Sequence, residues 1–188
     1  MSSITSSAQY QKKLAINRLG LWLFFASDAF MFGGLLVARF YLLGNRRLEL
    51  EQTLGLIVTV VLLVSSFFMN RAEVMISKGN QKGFQRSIIV TIVLGILFLA
   101  GVVGVEWQTA HFQVNEGAQG AVFYMMTGMH AFHVLTGIIF LLIVYRNGLK
   151  GKYTAEKHYA VEASANYWHF IDLVWIIYYP ALYLMGLI

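Results

Sequence analysis

Hydrophobic residues form five long blocks along this chain, separated by short polar stretches. A membrane-spanning helix needs about 20 mainly apolar residues. Five segments satisfy this requirement, at residues 19–43, 53–70, 87–106, 121–145 and 166–187. The loops between them are too short to hold a soluble domain. The pattern predicts an all-α, polytopic membrane protein, a bundle of five transmembrane helices that forms a single transmembrane domain over residues 1–188.

The two ends of the chain carry further signals. Residues 1–8 are rich in Ser and Thr and predict a flexible tail. The first apolar segment has no A-x-A cleavage site, so we expect a retained helix and not a signal peptide. Pro180 lies within the fifth segment, where it removes a backbone donor and predicts a bend in the last turns.

Composition supports the membrane assignment and excludes several kinds of site. Hydrophobic residues make up 58% of the chain, charged residues 12%, and the mean hydropathy is +0.64. These values are far from those of a soluble domain. Cysteine is absent, which excludes disulfides and thiolate metal ligands.

The distribution of Lys and Arg predicts the orientation of the bundle. Basic residues precede segment 1 and lie in the 2–3 and 4–5 loops: Lys12, Lys13, Arg18, Arg71, Lys78, Lys82, Arg86, Arg146, Lys150, Lys152 and Lys157. The 3–4 loop has none, and only Arg46 and Arg47, beside Glu49 and Glu51, break the pattern. The positive-inside rule therefore predicts a cytoplasmic N-terminus and an outside C-terminus. No basic patch is interleaved with aromatics, so nucleic acid is not an expected partner.

Five ionisable residues lie inside the apolar segments: Asp28, His130, His133, His169 and Asp172. Such a group at the bilayer centre costs about 2.5–3.5 kcal/mol on insertion scales, so each one suggests a function or a protein partner. From the helical rise, we expect Asp28, His133 and Asp172 to meet near mid-membrane. Glu106 is predicted at the outer interface, beside Trp107.

Three interpretations of these residues remain open. His130 and His133, with His169 or Asp172 opposite, have the ligand types of a haem or metal site. Chains of Asp and His also form proton relays or transport paths. We favour a third interpretation, a structural network in which Asp28 pairs with His133, or Asp172 with His169. Small residues, including Gly33, Gly34, Gly128 and Gly137, are predicted where helices approach closely.

Several motifs resemble one known family. The run YWHFIDLVW at 167–175 is similar to the YWHFVDVVW signature that ends subunit III of haem-copper oxidases. His158 and Glu162 stand at that family's H-x-x-x-E lead-in, and residues 130–137 resemble its H-x-x-H-V-x-x-G helix. Residues 18–28 resemble its R-x-G-x-x-x-F-x-x-S-E helix. The resemblance extends over nearly the whole chain.

The chain departs from the family pattern in three respects. It lacks the first two of the seven helices of larger relatives, as the shorter bacterial forms do. Asp28 stands where the family has Glu, which is one methylene longer. Val103 stands where family members often have Gln, three residues before Glu106.

The resemblance implies a non-catalytic accessory subunit III of a bacterial haem-copper terminal oxidase, with no catalytic residues and no metal of its own. It would be a multi-pass protein of the cell inner (plasma) membrane. Its partners would be membrane lipids, other oxidase subunits and the catalytic subunit I, which holds haem and copper. The complex would reduce oxygen in aerobic respiration, with cytochrome c or quinol as electron donor, and translocate protons.

The resemblance also implies roles for particular residues. A polar network supporting proton uptake would comprise Asp28, His130, His133, His169, Asp172 and Glu106. Phospholipid would bind at Arg146, His158 and Glu162. Two alternatives remain: an accessory subunit of a nitric oxide reductase, and a free-standing proton or small-solute carrier.

Overall fold

The computed structural model describes residues 2–46 and 48–186, and the side chains of residues 9–46 and 48–186. It is a bundle of five helices, which confirms the predicted all-α fold. The helices are α1 (Ser2–Leu43), α2 (Gln52–Ser77), α3 (Gln81–Leu99), α4 (Gly117–Leu149) and α5 (Tyr159–Tyr179). A π-helical segment, Ala100–Glu106, and a turn, Trp107–Thr109, continue α3, and a second π-helical segment, Pro180–Leu184, continues α5.

Four of the helices are long and apolar enough to cross a membrane: residues Gln9–Leu43 of α1, all of α2, Gln81–Thr109 and all of α4. Helix α5, which carries Glu162, His169 and Asp172, is not among these four described helices. Its 21 α-helical and 5 π-helical residues still exceed the roughly 20 that a hydrocarbon core of about 30 Å requires. The chain is a multi-pass membrane protein.

Several helices begin earlier or end later than the apolar segments, because hydropathy falls at the membrane interface while helical hydrogen bonding continues beyond it. The backbone of residues 2–8 continues α1 as helix. Flexibility of the predicted tail stays a prediction, and Met1 lies outside the described residues. The fifth helix ends at Leu184, and the predicted end at residue 187 also lies outside them.

A tight turn at Lys78–Asn80 makes α2 and α3 an antiparallel hairpin. Gly79 adopts φ +74, a left-handed conformation that glycine adopts without steric cost. The amides of Gly79 and Asn80 then bond the Ile76 and Met75 carbonyls, at 2.9 Å each. The Asn80 side chain accepts a hydrogen bond from the Gly83 amide and so caps α3. One three-residue turn therefore ends one helix and starts the next.

Two tryptophans of α5 fasten it to α2 inside the bundle. The Trp168 indole donates to the Ser65 hydroxyl and the Trp175 indole to the Thr59 hydroxyl, each at 3.0 Å. Both indoles are buried. Because lipid offers no alternative partner, these two bonds fix the register of α5 against α2.

Glycines make room for one of these indoles. A Cβ atom at Gly95 would lie 2.7 Å from the Trp168 ring, and one at Gly137 would lie 3.0 Å from it. The predicted close approach is therefore present at Gly137. At Gly33 and Gly34 that prediction is wrong, because a Cβ atom there would meet nothing within 4 Å.

Helix α1 is the peripheral member of the bundle. Only 11% of its most apolar window is buried, against 50% for α4. Large side chains such as Trp22, Phe30 and Tyr41 are exposed along it. Helix α5, by contrast, packs against α1, α2 and α4. This arrangement places the polar residues of α4 and α5 inside and leaves one face of α1 available.

The winding of α5 changes at Pro180. Proline has no N–H group, so the carbonyl four residues earlier loses its usual donor. The chain continues as π-helix, and the Met185 amide bonds the Pro180 carbonyl five residues back, at 2.9 Å. This change carries Tyr183 into the interior, where it is fully buried.

We predict that Gly95→Ala destabilises the fold by about 1–3 kcal/mol, because the added methyl group overlaps the Trp168 ring. Gly33→Ala is the matched control, since it adds the same methyl group in open space. The control is expected to be neutral or stabilising by up to about 1 kcal/mol. The measurement is the free energy of unfolding of each purified full-length variant in mixed micelles; equal values for the two variants would contradict the assigned packing.

Candidate functional site

Asp28 of α1 and His133 of α4 face each other. The His133 Nε2 atom lies 3.5 Å from the Asp28 Oδ2 atom, which is within ion-pair distance but outside good hydrogen-bond geometry. The two side chains are only 9% and 15% exposed, His133 and Asp28 respectively. Asp28, His133 and Asp172 are predicted to meet near mid-membrane, and of these Asp28 and His133 lie together.

The His133 ring is oriented by its other nitrogen. Its Nδ1 atom lies 2.8 Å from the Met129 carbonyl oxygen, which can only accept a hydrogen bond. The proton therefore belongs on Nδ1, which leaves Nε2 facing the Asp28 carboxyl. That contact is attractive only when one further proton lies on either side, as imidazolium with carboxylate or imidazole with carboxylic acid. The geometry suits a pair that holds one proton between α1 and α4.

A tyrosine of α5 joins this pair to the third helix. The Tyr167 hydroxyl lies 2.7 Å from the Thr136 hydroxyl and donates to the His133 carbonyl at 3.4 Å. The Phe32 ring packs edge-on against the His133 imidazole, with centroids 4.8 Å apart. The pair is thus enclosed by side chains from α1, α4 and α5.

His169 and Asp172 do not pair with each other, so that alternative within the predicted network is wrong. The His169 Nδ1 atom lies 2.7 Å from the Ser66 hydroxyl of α2. Asp172 is buried, and neither carboxylate oxygen has a hydrogen-bond partner among the described residues. A three-residue spacing on a helix does not by itself align two side chains.

His130 is separated from His133, although the two are three residues apart on α4. It is fully buried between the Phe98 ring, at 5.5 Å, and the Trp175 ring, at 4.8 Å between centroids. Neither ring nitrogen has a partner within the described part of the chain. His130 therefore lies in an aromatic environment, whereas His133 faces a carboxyl.

Glu106 is buried at the end of the π-helical segment that continues α3, and its place at the outer interface stays a prediction. The π-helical segment of α3 brings it to Tyr183, whose hydroxyl donates to the Glu106 carboxylate. Tyr183 packs closely against Gly55, where a Cβ atom would overlap its ring. The two partners of this hydrogen bond therefore lie on the two π-helical segments, and Gly55 leaves space for the Tyr183 ring. Such insertions are frequent at functional sites.

The predicted polar residues therefore form separate small groups: Asp28 with His133, His169 with Ser66, Glu106 with Tyr183, and the unbonded His130 and Asp172. Within residues 2–46 and 48–186, no cluster of three or more His, Cys, Asp or Glu side chains has the arrangement to hold a metal ion. The arrangement suits local proton retention and helix positioning. It provides no continuous polar chain across the described part of the bundle.

The predicted lipid-binding residues lie apart as well. Arg18 of α1 binds Glu162 of α5 through two hydrogen bonds, of 3.1 and 3.0 Å. The Glu162 carboxylate is therefore engaged by α1. Arg146 is exposed at the end of α4, and His158 is half-buried with its Nδ1 atom 3.1 Å from the Thr154 carbonyl. Arg146 keeps its guanidinium donors available at the basic end of the bundle, the end that holds the α2–α3 turn and the α4–α5 loop, whereas the Nδ1 proton of His158 is directed to the Thr154 carbonyl.

Arg39 is the residue that the sequence reasoning missed. It is fully buried in α1 and donates to four backbone carbonyls: those of Gly44 and Arg46 after α1, and of Ala181 and Met185 around the π-helical end of α5. Helix C-termini carry partial negative charge and unbonded carbonyls, so one guanidinium stabilises two of them. A lone Arg inside an apolar segment was the available signal.

Comparison with known proteins shows that the chain is similar to one protein family. The family described as Cytochrome c oxidase subunit III matches residues 5–187. The chain is 35% identical over 174 residues to cytochrome c oxidase subunit 3 of Thermostichus vulcanus, an alignment that covers 89% of this chain and 86% of that protein. It is 32% identical over 182 residues to cytochrome c oxidase subunit 3 of Dugong dugon, covering 90% of this chain and 69% of the relative.

We predict that Arg39→Gln lowers the free energy of unfolding by about 2–3 kcal/mol, because several buried carbonyls lose a charged donor. Arg39→Lys keeps the charge but not the fork of donors and should lie between wild type and Gln. The exposed Arg46→Gln is the control, with an expected change within about 0.5 kcal/mol. Unfolding in mixed micelles, with limited proteolysis at the C-terminus, measures the effect. A loss at Arg46 as large as at Arg39 would refute the capping role.

Proposed function

Because the chain belongs to the cytochrome c oxidase subunit III family, we propose that it is the non-catalytic accessory subunit III of a bacterial haem-copper terminal oxidase. One structural observation supports an accessory role most strongly, the largely unburied apolar surface of α1. Exposed patches of this kind mark contacts with lipid or another protein. We propose that this face of α1 contacts the catalytic subunit, which would hold the haem and copper.

We further propose that the protein lies in the cell inner membrane with its basic end on the cytoplasmic side. The cations at this end support this orientation under the positive-inside rule. At the opposite end, the sequence of the α1–α2 loop has Arg46 and Arg47 beside Glu49 and Glu51, and Arg39 is a further cation. Its charge is buried and shared among four carbonyls, so it is not a loop charge of the kind that the rule counts.

Phospholipid binding is the next element of the proposal. Two adjoining grooves, of about 450 and 160 Å³, run between α1 and α5 and share Ala29, Phe170 and Leu173. Their walls are almost entirely apolar, which suits an acyl chain. Arg146 at the basic end supplies donors that a phosphate headgroup would require, and a doubly protonated His158 would add one through Nε2.

The Asp28–His133 pair is the proposed contribution to steady proton uptake. It holds one proton at the junction of α1, α4 and α5, beside the α1 face that we assign to the catalytic subunit. Gain or loss of this proton by the Asp28–His133 pair would change the attraction between α1 and α4. The pair thereby links the protonation of this subunit to its own helix packing.

Isolation of the native complex tests the assignment. A tagged full-length chain is expected to co-purify from its own membranes with a haem-copper catalytic subunit and with oxygen-reducing activity. Recovery without such a subunit would overturn the proposal. Reduction of nitric oxide instead of oxygen would identify the nitric oxide reductase alternative. Proton flux through liposomes containing this chain alone, abolished by Asp28→Asn, would support the carrier.

We predict that Asp28→Asn and His133→Ala weaken assembly or shorten the working life of the complex. Removing one partner of a polar pair in a mainly buried site leaves the other group without its partner, which costs about 1–3 kcal/mol. Initial turnover should change by less than about twofold, because the haem and copper are proposed to lie in the partner subunit. A rate factor of two corresponds to under about 0.5 kcal/mol. The exposed Glu156→Gln is the matched control. The measurement is oxygen consumption followed through prolonged turnover; immediate and complete loss of activity in a fully assembled variant would contradict the supporting role.

A further inference from the structure

A cavity of about 450 Å³ opens between α2 and α3 at the basic end of the bundle. Three cations from the two helices line it: Arg71, Lys82 and Arg86. No Asp or Glu side chain of the described residues contributes to its wall. It shares no residue with Arg146, His158 or Glu162, so it is separate from the lipid-binding residues proposed above.

The three cations have no counter-charge in the described structure. None of them forms an ion pair or a side-chain hydrogen bond with a described residue, in contrast to Arg18 and Arg39. The Asn80 side chain also lines the cavity, but its oxygen is already engaged by the Gly83 amide. The cavity therefore offers donors and positive charge, and its amide acceptor is occupied.

Their placement on the helices concentrates this charge. Lys82 and Arg86 are four residues apart on α3 and so share one face, where like charges repel each other. Arg71 approaches from α2, which the tight turn at Gly79 holds antiparallel to α3. An anion between the two helices would relieve the repulsion within α3 and also attract Arg71.

The cavity changes from polar to apolar with depth. Val90 follows Arg86 by one turn on α3, about 6 Å further from the basic end. Phe68 precedes Arg71 by nearly one turn on α2, at a similar further depth. Both apolar residues line the same cavity as the cations. An anion bound here would have its charged part at the mouth and an apolar part below, as an amphiphile does.

We propose that this cavity binds an anionic phospholipid, with the phosphodiester between Arg71, Lys82 and Arg86 and the start of an acyl chain on Phe68 and Val90. A free phosphate would use the same cations but would leave the apolar floor unused. The proposal does not depend on the identity of the catalytic partner, since it concerns only the α2–α3 hairpin in a lipid bilayer.

The test uses the full-length chain purified in mixed micelles containing phosphatidylglycerol as the probe, with bound lipid counted by native mass spectrometry. Each cation near a lipid phosphate contributes about fivefold to binding. The triple variant Arg71→Gln/Lys82→Gln/Arg86→Gln is therefore expected to weaken retention of one phosphatidylglycerol by at least about tenfold.

The control is Lys150→Gln/Lys152→Gln/Lys157→Gln, which removes the same charge from the same end of the bundle outside the cavity. We expect less than about a twofold change, since no cavity cation is altered. Equal losses in the two triple variants would overturn the proposal, because general surface charge would then explain the binding. Displacement of the lipid by millimolar inorganic phosphate would overturn the assignment of an amphiphile.

Two further variants keep the test informative if the triple variant folds poorly. Arg71→Lys/Arg86→Lys preserves all three charges and should retain the lipid within a few-fold, whereas the single Arg86→Gln should release it several-fold more readily. Replacing phosphatidylglycerol with zwitterionic phosphatidylcholine should remove the difference between wild type and Arg86→Gln. Identical retention of both lipids by both chains would refute the site.

Discussion

Hydrocarbon offers no hydrogen-bond partner, and the bundle depends on polar side chains that bond to other helices instead. The indoles of Trp168 and Trp175 reach the hydroxyls of Ser65 and Thr59, and these bonds set α5 against α2. In water each bond would contribute little, because solvent competes for both groups. In lipid the alternative is an unbonded donor, so a few side-chain bonds select one register among many similar apolar contacts. Glycines at 95 and 137 then admit the Trp168 ring.

The same constraint explains why charged groups occur at helix ends and crossings. Arg39 stabilises the C-terminal carbonyls of α1 and α5, and the Asp28–His133 pair lies where α1 crosses α4. Both interactions attach the peripheral α1 to the rest of the bundle. Helix α1 buries little apolar surface of its own, so polar contacts contribute more to its position than they do for α4. An accessory subunit whose exposed helix contacts a partner benefits from this, because the apolar face stays free.

The polar groups of this chain form several small sites on different helices. The Asp28–His133 pair, the buried Glu106–Tyr183 bond and the cationic cavity between α2 and α3 lie at different depths and on different helices. The first joins α1 to α4, the second joins the two π-helical segments, and the third is lined by three cations. This division agrees with a subunit that supports a neighbouring enzyme and its surrounding lipid.

The sequence alone determined the five helices, the family and the burial of the ionisable residues, because hydropathy, charge asymmetry and local motifs are properties of single segments. It also indicated Asp28 and His133, since a motif carried each one. Only the tertiary structure decided which groups meet. His169 bonds Ser66 and not Asp172, Glu106 is drawn inward by a π-helical insertion, and Arg39 finds carbonyls that lie 142 and 146 residues away in sequence. Helix rotation and long-range contacts fix these partners, and neither is encoded in the spacing of residues along one helix.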